Sequence, residues 1–451
     1  MNCIISIYLA AYNFIAAISS RIPERAKAIF LRISIYALLW IGVLKYSNKV
    51  LKSIFHYSDL VYPVGFAALI ILIAAGSRSK KSIRTIRAGK VFWFGWLLCF
   101  GMIFIMSFVN PVNKDYLAWS ITGIFIFPLL FIAWSDRKSF RDLCNTVSEA
   151  VLVLSYIFII MSFVMVPFFS RGELGKTMPE YIGMAVNPNN NGMLVIAFYG
   201  PLLYLLLSEK KRKAIYYLVP MGVCVAISEI AGCRTAQLGI ILQTAVGLAY
   251  YYYSRMKPTG TKVQWKKLAA AIIIIFAVAI ASGFVLRYFD NMDIEVHAQD
   301  ESALNMGNGE ELFDKLNLLS SGRLFVTRYY IQQTTFWGHG TPEEPIMWGA
   351  DYSKWSFNNA VDVLYASGVI PFIGCLIWLL SAIWYCVKCL LGKVDRRPEY
   401  LFTLITFAGY FTDFVLEVTI YPITTSLVLL AYLGFIPIAC NEYKKEIEIN
   451  S

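Results

Sequence analysis

The sequence predicts an all-α, polytopic integral membrane protein of about twelve, or thirteen, transmembrane helices with one large external loop. Three observations lead there. Hydrophobic residues make up 58% of the 451 positions and charged residues only 15%, whereas a soluble domain carries about 25% charged residues. Apolar runs of roughly 17–25 residues, the length that crosses a bilayer, recur along the whole chain. Lys and Arg concentrate in alternate connections between these runs, the asymmetry that orients membrane proteins.

The same composition excludes other classes. A water-soluble enzyme of this length could not hide so much apolar surface, and disorder requires low hydrophobicity. Gly (29) and Pro (16) without a triplet period exclude a collagen-like chain. The net charge of +11 would suggest nucleic acid in a soluble protein; here it follows from basic loops on one side of a membrane, so no nucleic-acid partner is expected. The nine cysteines, at 3, 99, 144, 224, 233, 375, 386, 389 and 440, lie mostly inside apolar runs and read as small buried hydrophobes. The three histidines, His56, His297 and His339, are too scattered for a metal site, so neither metal nor cofactor is expected.

The apolar runs fall near 28–45, 60–76, 91–109, 117–134, 148–169, 190–207, 214–230, 236–254, 268–286, 364–390, 400–417 and 422–440. Residues 3–19 add a thirteenth span or an interfacial helix. This first run has no basic n-region and no small-residue cleavage site, which argues against a removed signal peptide. The connection 77–90 carries six basic residues and no acid, 208–213 four basics and one acid, 255–267 five basics and 388–397 four. These belong in the cytoplasm, together with the C-terminus. The connection 110–116 holds only Lys114 and Asp115 and belongs outside. The whole chain reads as one helical membrane domain, with residues 287–357 as an extracytoplasmic loop inserted before the last three spans. That loop is acidic, at net −6 against +17 for the remainder, and loops of this length are uncommon unless functional or disordered. Its first part, 290–311, reads as solvated. Its second, 316–338, is amphipathic and reads as a helix, with Ser320 or Ser321 as cap.

Five constellations could carry chemistry. Gly232-Cys-Arg234-Thr235 lies between two spans on the external side. Arg234 reads either as a snorkelling interfacial residue or as an anion clamp, since a guanidinium binds phosphate bidentately and keeps its charge. Arg323, after Gly322, and Arg328 stand on the amphipathic helix of the external loop, either as a solvated face paired with nearby acids or as a second phosphate-binding element. His339 between Gly338 and Gly340, then Trp348, Asp351, Trp355, Asn358 and Asn359, form a polar and aromatic cluster. It suits an interfacial aromatic belt or sugar recognition, with rings on apolar C–H faces and amides on hydroxyls. Asp351, Glu343 and Glu344 are candidate bases. Asn187, Asn189, Asn190 and Asn191 at a span entry read as a turn and helix cap or as a polar lining for hydroxyls. Asp413 and Glu417, one turn apart late in the chain, either reach the outer interface or serve a function within the membrane.

These patches occur in the order seen in the O-antigen polymerase and ligase superfamily, which the chain resembles over about 187–380. Asn187 to Gly192 (NPNNNG) resembles the family's N-x-N-x-x-G span entry. Gly232-Cys-Arg234-Thr-Ala resembles its G-S-R-G-A-like motif, with Cys233 in place of the small hydroxyl residue. Gly322-Arg323 through Gly340 is similar to its G-R…G-x-G run. Phe357 through Gly368 resembles its H-N-x-x-L…G run, with Asn358 at the position of the family's histidine and Asn359 matching.

The resemblance implies a polysaccharide polymerase in a bacterial cytoplasmic membrane. It would join undecaprenyl-diphosphate-linked repeat units on the outer face, with lipid diphosphate as leaving group. Arg234, Arg323, His339 and Asp351 are then the expected catalytic residues. Asn187, Asn189, Asn190, Arg328, Trp355, Asn358 and Asn359 are the expected substrate-binding residues. The expected partners are the lipid-linked oligosaccharide, the membrane, and a chain-length regulator and flippase. An O-antigen-type ligase is the nearest alternative, and the missing histidine at 358 argues against its histidine-base chemistry. A lipid-linked glycan flippase is the alternative from the transporter class.

Overall fold

Lipid offers no partner for backbone N–H and C=O groups, so runs this apolar close their hydrogen bonds within helices. The computed structural model describes residues 1–47, 49–83, 86–164, 188–208, 213–256, 273–282, 323–342, 346–348, 351–353, 356–392, 398–417 and 421–442. The principal helices, in chain order, are α1 Asn2–Ser19, α2 Glu24–Tyr46, α3 Tyr57–Gly76, α4 Lys90–Met106, α5 Lys114–Ala133, α6 Arg137–Val164, α7 Pro188–Ser208, α8 Ile215–Ile230, α9 Arg234–Tyr251, α10 Ile273–Ser282, α11 Arg323–Gln332, α12 Asn359–Ser367, α13 Val369–Leu390, α14 Pro398–Leu416 and α15 Ser426–Gly434. Strand is confined, among the described residues, to two three-residue antiparallel ladders. Ile86–Ala88 pairs with Cys440–Glu442, and Ile346–Trp348 with Asp351–Ser353. The chain is thus all-helical in character. Among the described residues seven helices, α1, α2, α3, α5, α6, α7 and α13, are long and apolar enough to cross a membrane. Shorter apolar helices accompany them at Lys90–Met106, Ile215–Ile230, Ile273–Ser282 and Ser426–Ala439.

Helix boundaries differ from the sequence reading in several places; the helix read near 148–169, for one, begins at Arg137. The run 364–390 is divided at Gly368, whose φ of +90° and close approach to the carbonyl of Phe336 exclude a side chain there. The run 422–440 becomes helical only at Ser426. Within 316–338 the described helix spans Arg323–Gln332. After it the Thr334 hydroxyl turns back to Ile331 O, and further on Gly338 takes a left-handed φ of +79°.

The core is built where small residues let helices touch. A Cβ on Gly95 of α4 would lie 2.5 Å from Trp378 N, and one on Gly374 of α13 would meet the Cys99 backbone, so these two backbones pack as closely as small-residue interfaces in membranes do. Around them lie Phe92, Trp96, Phe100, Phe127, Phe131, Trp378, Tyr432 and Phe435, mostly edge to face. Buried indole N–H groups need acceptors. Trp96 donates to Gly123 O at 2.7 Å, Trp93 to Ala439 O at 2.9 Å and Trp119 to the Tyr432 hydroxyl at 3.0 Å.

The connections gather into two groups. In one, Lys81 donates to Ser135 Oγ at 2.7 Å and Ile132 O at 3.1 Å, Arg78 approaches Asp142, and Arg141 binds the buried Glu399 at 2.6 Å. The ladder of 86–88 with 440–442 joins the same group. In the other, Asn110 and Pro111 bind Trp337 and Thr341, Lys45 pairs with Asp115 at 3.7 Å, and Arg323 meets Thr235 and Glu417. Among the described residues, the basic connection 77–90 meets the 135–142 and 440–442 segments, and the connection 110–116 meets Trp337 and Thr341; most of 208–213, 255–267 and 388–397 lies outside the described residues.

Candidate functional site

Arg323 opens α11, and its guanidinium reaches across to two other elements. Its Nη1 donates to Glu417 Oε1 at 2.6 Å and to Leu416 O at 2.7 Å, with Thr235 Oγ1 at 3.5 Å. The Thr235 hydroxyl donates to the same Glu417 oxygen at 3.2 Å. Thr235 lies in the first turn of α9 and Glu417 directly follows α14. Three segments far apart in the chain therefore share one charged centre. Glu417 is 3% exposed. A carboxylate so buried is tolerable only when paired and hydrogen-bonded, and Arg323 supplies that pair. The Arg323 side chain is 21% exposed. Among the described residues its Nε and Nη2 donors have no hydrogen-bond partner. That edge is the fork that suits a carboxylate or phosphate.

The Phe357 ring lies 5.1 Å from the Arg323 guanidinium carbon. Phe357 itself holds a φ of +59°, a conformation that costs a bulky L residue energy and needs outside support. The neighbours supply it. Ser356 N donates to Asp362 Oδ1 at 2.7 Å, and Ser356 Oγ donates to Asn358 O at 2.9 Å. Asn358 Oδ1 caps α12 by accepting from Ala360 N at 3.1 Å and Val361 N at 3.3 Å, while its amide donates to Val415 O at 3.3 Å. An asparagine cap is what the start of a helix favours. Burial pushes the Asp362 carboxyl up to about 7, with the Ser356 hydrogen bonds pulling the other way.

Of the expected site residues, Arg323 and Asn358 come together here. Asn359 is fully buried in the first turn of α12. Arg234 is exposed at the start of α9, and it is its neighbour Thr235 that enters the centre. Arg328 is half-buried on α11. His339 sits at the opposite end of α11. Its Nε2 meets Gln333 O at 2.7 Å, its ring stacks on Tyr365 at 5.0 Å, and its backbone N–H donates to Tyr365 O at 2.8 Å. A carbonyl only accepts, so Nε2 carries a proton. Asn190 is half-buried at the start of α7. The backbones of Asn189 and Asp351 lie in α7 and in the 351–353 strand, but their side chains are outside the described residues, as are Asn187, Glu343, Glu344 and Trp355. The expected caps Ser320 and Ser321, and the loop stretch 290–311, are likewise outside the described residues.

The sequence singles out Glu417 together with Asp413, but not as the partner of Arg323. Asp413 lies one turn earlier, fully buried, and neither carboxylate oxygen has a hydrogen-bond partner among the described residues. Phe357 falls inside the sequence's aromatic cluster but not as a partner of Arg323, and Asp362 is not singled out there as a site residue. A lone carboxylate in the apolar run Ala360–Ala366 is the available signal for Asp362. Cys233 is buried, and that burial pushes its thiol up to about 11, which leaves it without thiolate character as a nucleophile. A Cβ on Gly192 would collide with its sulfur, so the N-terminus of α7 is pressed against this turn. Among the described residues no cluster of His, Cys, Asp and Glu could hold a metal.

The chain matches no protein-family model, no curated protein and no solved structure.

Proposed function

We propose that the protein is a polysaccharide polymerase of a bacterial cytoplasmic membrane that joins undecaprenyl-diphosphate-linked repeat units at its outer face. It crosses the membrane twelve or thirteen times, with its C-terminus and basic connections in the cytoplasm and residues 287–357 outside. The observation that carries the reading is the half-used guanidinium of Arg323. Nη1 is anchored by Glu417 and Leu416 O, while the Nε and Nη2 edge is left for a bidentate anion. The group of connections that holds it is the one poor in basic residues.

In this reaction an acceptor hydroxyl oxygen attacks the anomeric carbon of the donor. The bond from that carbon to the diphosphate oxygen breaks, and the lipid diphosphate departs with the electron pair. Arg323 stabilises the negative charge that develops there, and Arg234, the sequence neighbour of Thr235, is a second cation for the diphosphate. The hydroxyl proton passes to a carboxylate, for which Asp351, Glu343 and Glu344 are the candidates. Asn358 and the Phe357 ring border the charged centre and offer an amide and an apolar face to the sugars. The superfamily resemblance of the four motifs supports the same reading.

The test is incubation of the purified protein in lipid with its lipid-linked repeat unit, beside Arg323→Ala, with products resolved on a gel. A ladder of multiples that disappears in the variant is expected. A ladder undiminished in Arg323→Ala removes Arg323 from the mechanism. Transfer of glycan to a different acceptor without a ladder replaces the polymerase by a ligase.

A further inference from the structure

The turn Ser356–Asn358 has to be held, because Phe357 occupies a left-handed backbone conformation at φ +59° and still presents its ring to Arg323 at 5.1 Å. The holder is not part of the charged centre. Asp362, on the first turns of α12, is 1% exposed, and its Oδ1 accepts the Ser356 N–H at 2.7 Å. Its second oxygen has no hydrogen-bond partner among the described residues. Tyr330 of α11 faces Asp362, its hydroxyl also without a partner among them. Among the described residues, Tyr116 of α5 and Tyr421, just before α15, are the other titratable groups that interact with Asp362. No cation pairs with Asp362 among the described residues. A carboxylate enclosed in this way would be strongly penalised if it were ionised and unpaired.

We propose that Asp362 is a positioning residue for the external anion site: by accepting the Ser356 N–H from inside the fold, it holds the turn that sets Phe357 against Arg323 and Asn358 against the end of α14. The inference rests on reading Arg323 as the anion-binding group, but the positioning itself is a statement about the turn. The acceptor oxygen is what the turn requires, and the charge is not. The protonated form does the same work, with the proton on the unpartnered oxygen, and burial lifts the group to about 7. Asn at 362 reproduces that neutral form, since its amide keeps one carbonyl oxygen for Ser356. Ala does not.

The experiment compares full-length wild type, Asp362→Asn and Asp362→Ala in lipid nanodiscs. The first readout is amide hydrogen exchange over 356–358. Protection is retained in Asp362→Asn and falls at least tenfold in Asp362→Ala, while the transmembrane helices stay protected in both. The second is binding of inorganic pyrophosphate. Asp362→Asn stays within about twofold of wild type and Asp362→Ala weakens by about tenfold. The third is the pH dependence of the melting temperature between 5 and 8, which the wild type shows and Asp362→Asn loses. If Asp362→Ala keeps both the exchange protection and the pyrophosphate affinity, the proposal is wrong. If Asp362→Asn behaves like Asp362→Ala, the charge and not the acceptor matters, and the proposal is equally wrong. Failure of wild type to bind pyrophosphate removes the anion reading alone, because the exchange result still decides whether Asp362 holds the turn. Should Asp362→Ala lose protection throughout, Asp362→Asn decides. Protection kept over 356–358 with the pH dependence lost supports the proposal, and protection lost there overturns it.

Discussion

Removing either half of the Arg323–Glu417 pair will not cost the same. Arg323→Ala leaves Glu417, 3% exposed, with the Thr235 hydroxyl as its one remaining side-chain partner among the described residues. Stranding a buried charge costs about 3–5 kcal/mol. Glu417→Gln leaves Arg323 at 21% exposure with Leu416 O, the Phe357 face and access to water. An amide oxygen can still accept from Nη1, so the loss is about 1–2 kcal/mol, that of a charge-assisted hydrogen bond made neutral. The double variant Arg323→Ala/Glu417→Gln strands no charge and recovers part of the first loss, by about 1–3 kcal/mol of coupling. Reversible unfolding in mixed micelles, titrated with denaturing detergent, reads all three. Equal costs for the two single variants, or strict additivity in the double, would refute the description of Glu417 as a buried carboxylate held by Arg323.

Other consequences follow from particular contacts. Asp362 is lifted from the ordinary carboxylate value to about 7 by burial, so the folded state binds a proton that the unfolded chain has already lost. Stability therefore declines as pH rises from about 4 to about 7, by on the order of 4 kcal/mol, and is flat beyond; a wild-type melting profile that is level across this window contradicts it. Gly95→Val drives a side chain into Trp378 N on α13 and should destabilise by at least about 1–3 kcal/mol, read as a loss of folded protein after detergent extraction. Gln243 is buried on α9 and donates to Ile196 O of α7 at 3.2 Å. Gln243→Leu should cost about 1 kcal/mol, as interhelical hydrogen bonds in membranes do, and a stabilised variant would show that the bond is not made. Trp96→Ala opens the aromatic core around Phe131, Trp378 and Tyr432 and should cost about 3–5 kcal/mol, measured in the same unfolding assay.

How much of this is legible in the sequence depends on the range of the interaction. Helices are legible because apolar runs have no other way to satisfy their backbones, and each run from 3–19 to 422–440 overlaps a helix. Their breaks are less so. Gly368 stops a helix because the carbonyl of Phe336, far back along the chain, crosses in front of it. A conflict of that kind exists only after folding. The grouping of connections is legible because charge pattern is local, and Lys81 with Ser135, or Asn110 with Trp337, can be expected on common sides without knowing the contacts. Arg323 is legible as a charged residue in an unusual setting. Its partner is not, since nothing at 323 points to 417. In the sequence Thr235 is merely the neighbour of Arg234, whereas the first turn of α9 directs the threonine inward and leaves the arginine exposed. Phe357 is invisible as a cation partner because its orientation depends on a strained turn that Asp362 holds from further along the chain.

We propose that glycan transfer occurs at the Arg323 site with lipid diphosphate as the leaving group. The most direct measurement counts released lipid diphosphate against glycosidic linkages formed, using purified protein in lipid with its lipid-linked repeat unit and no nucleotide. One lipid diphosphate is predicted for each new linkage, with loss of both together in Arg323→Ala. Linkages formed without release of lipid diphosphate, or release that continues unchanged in Arg323→Ala, would contradict it.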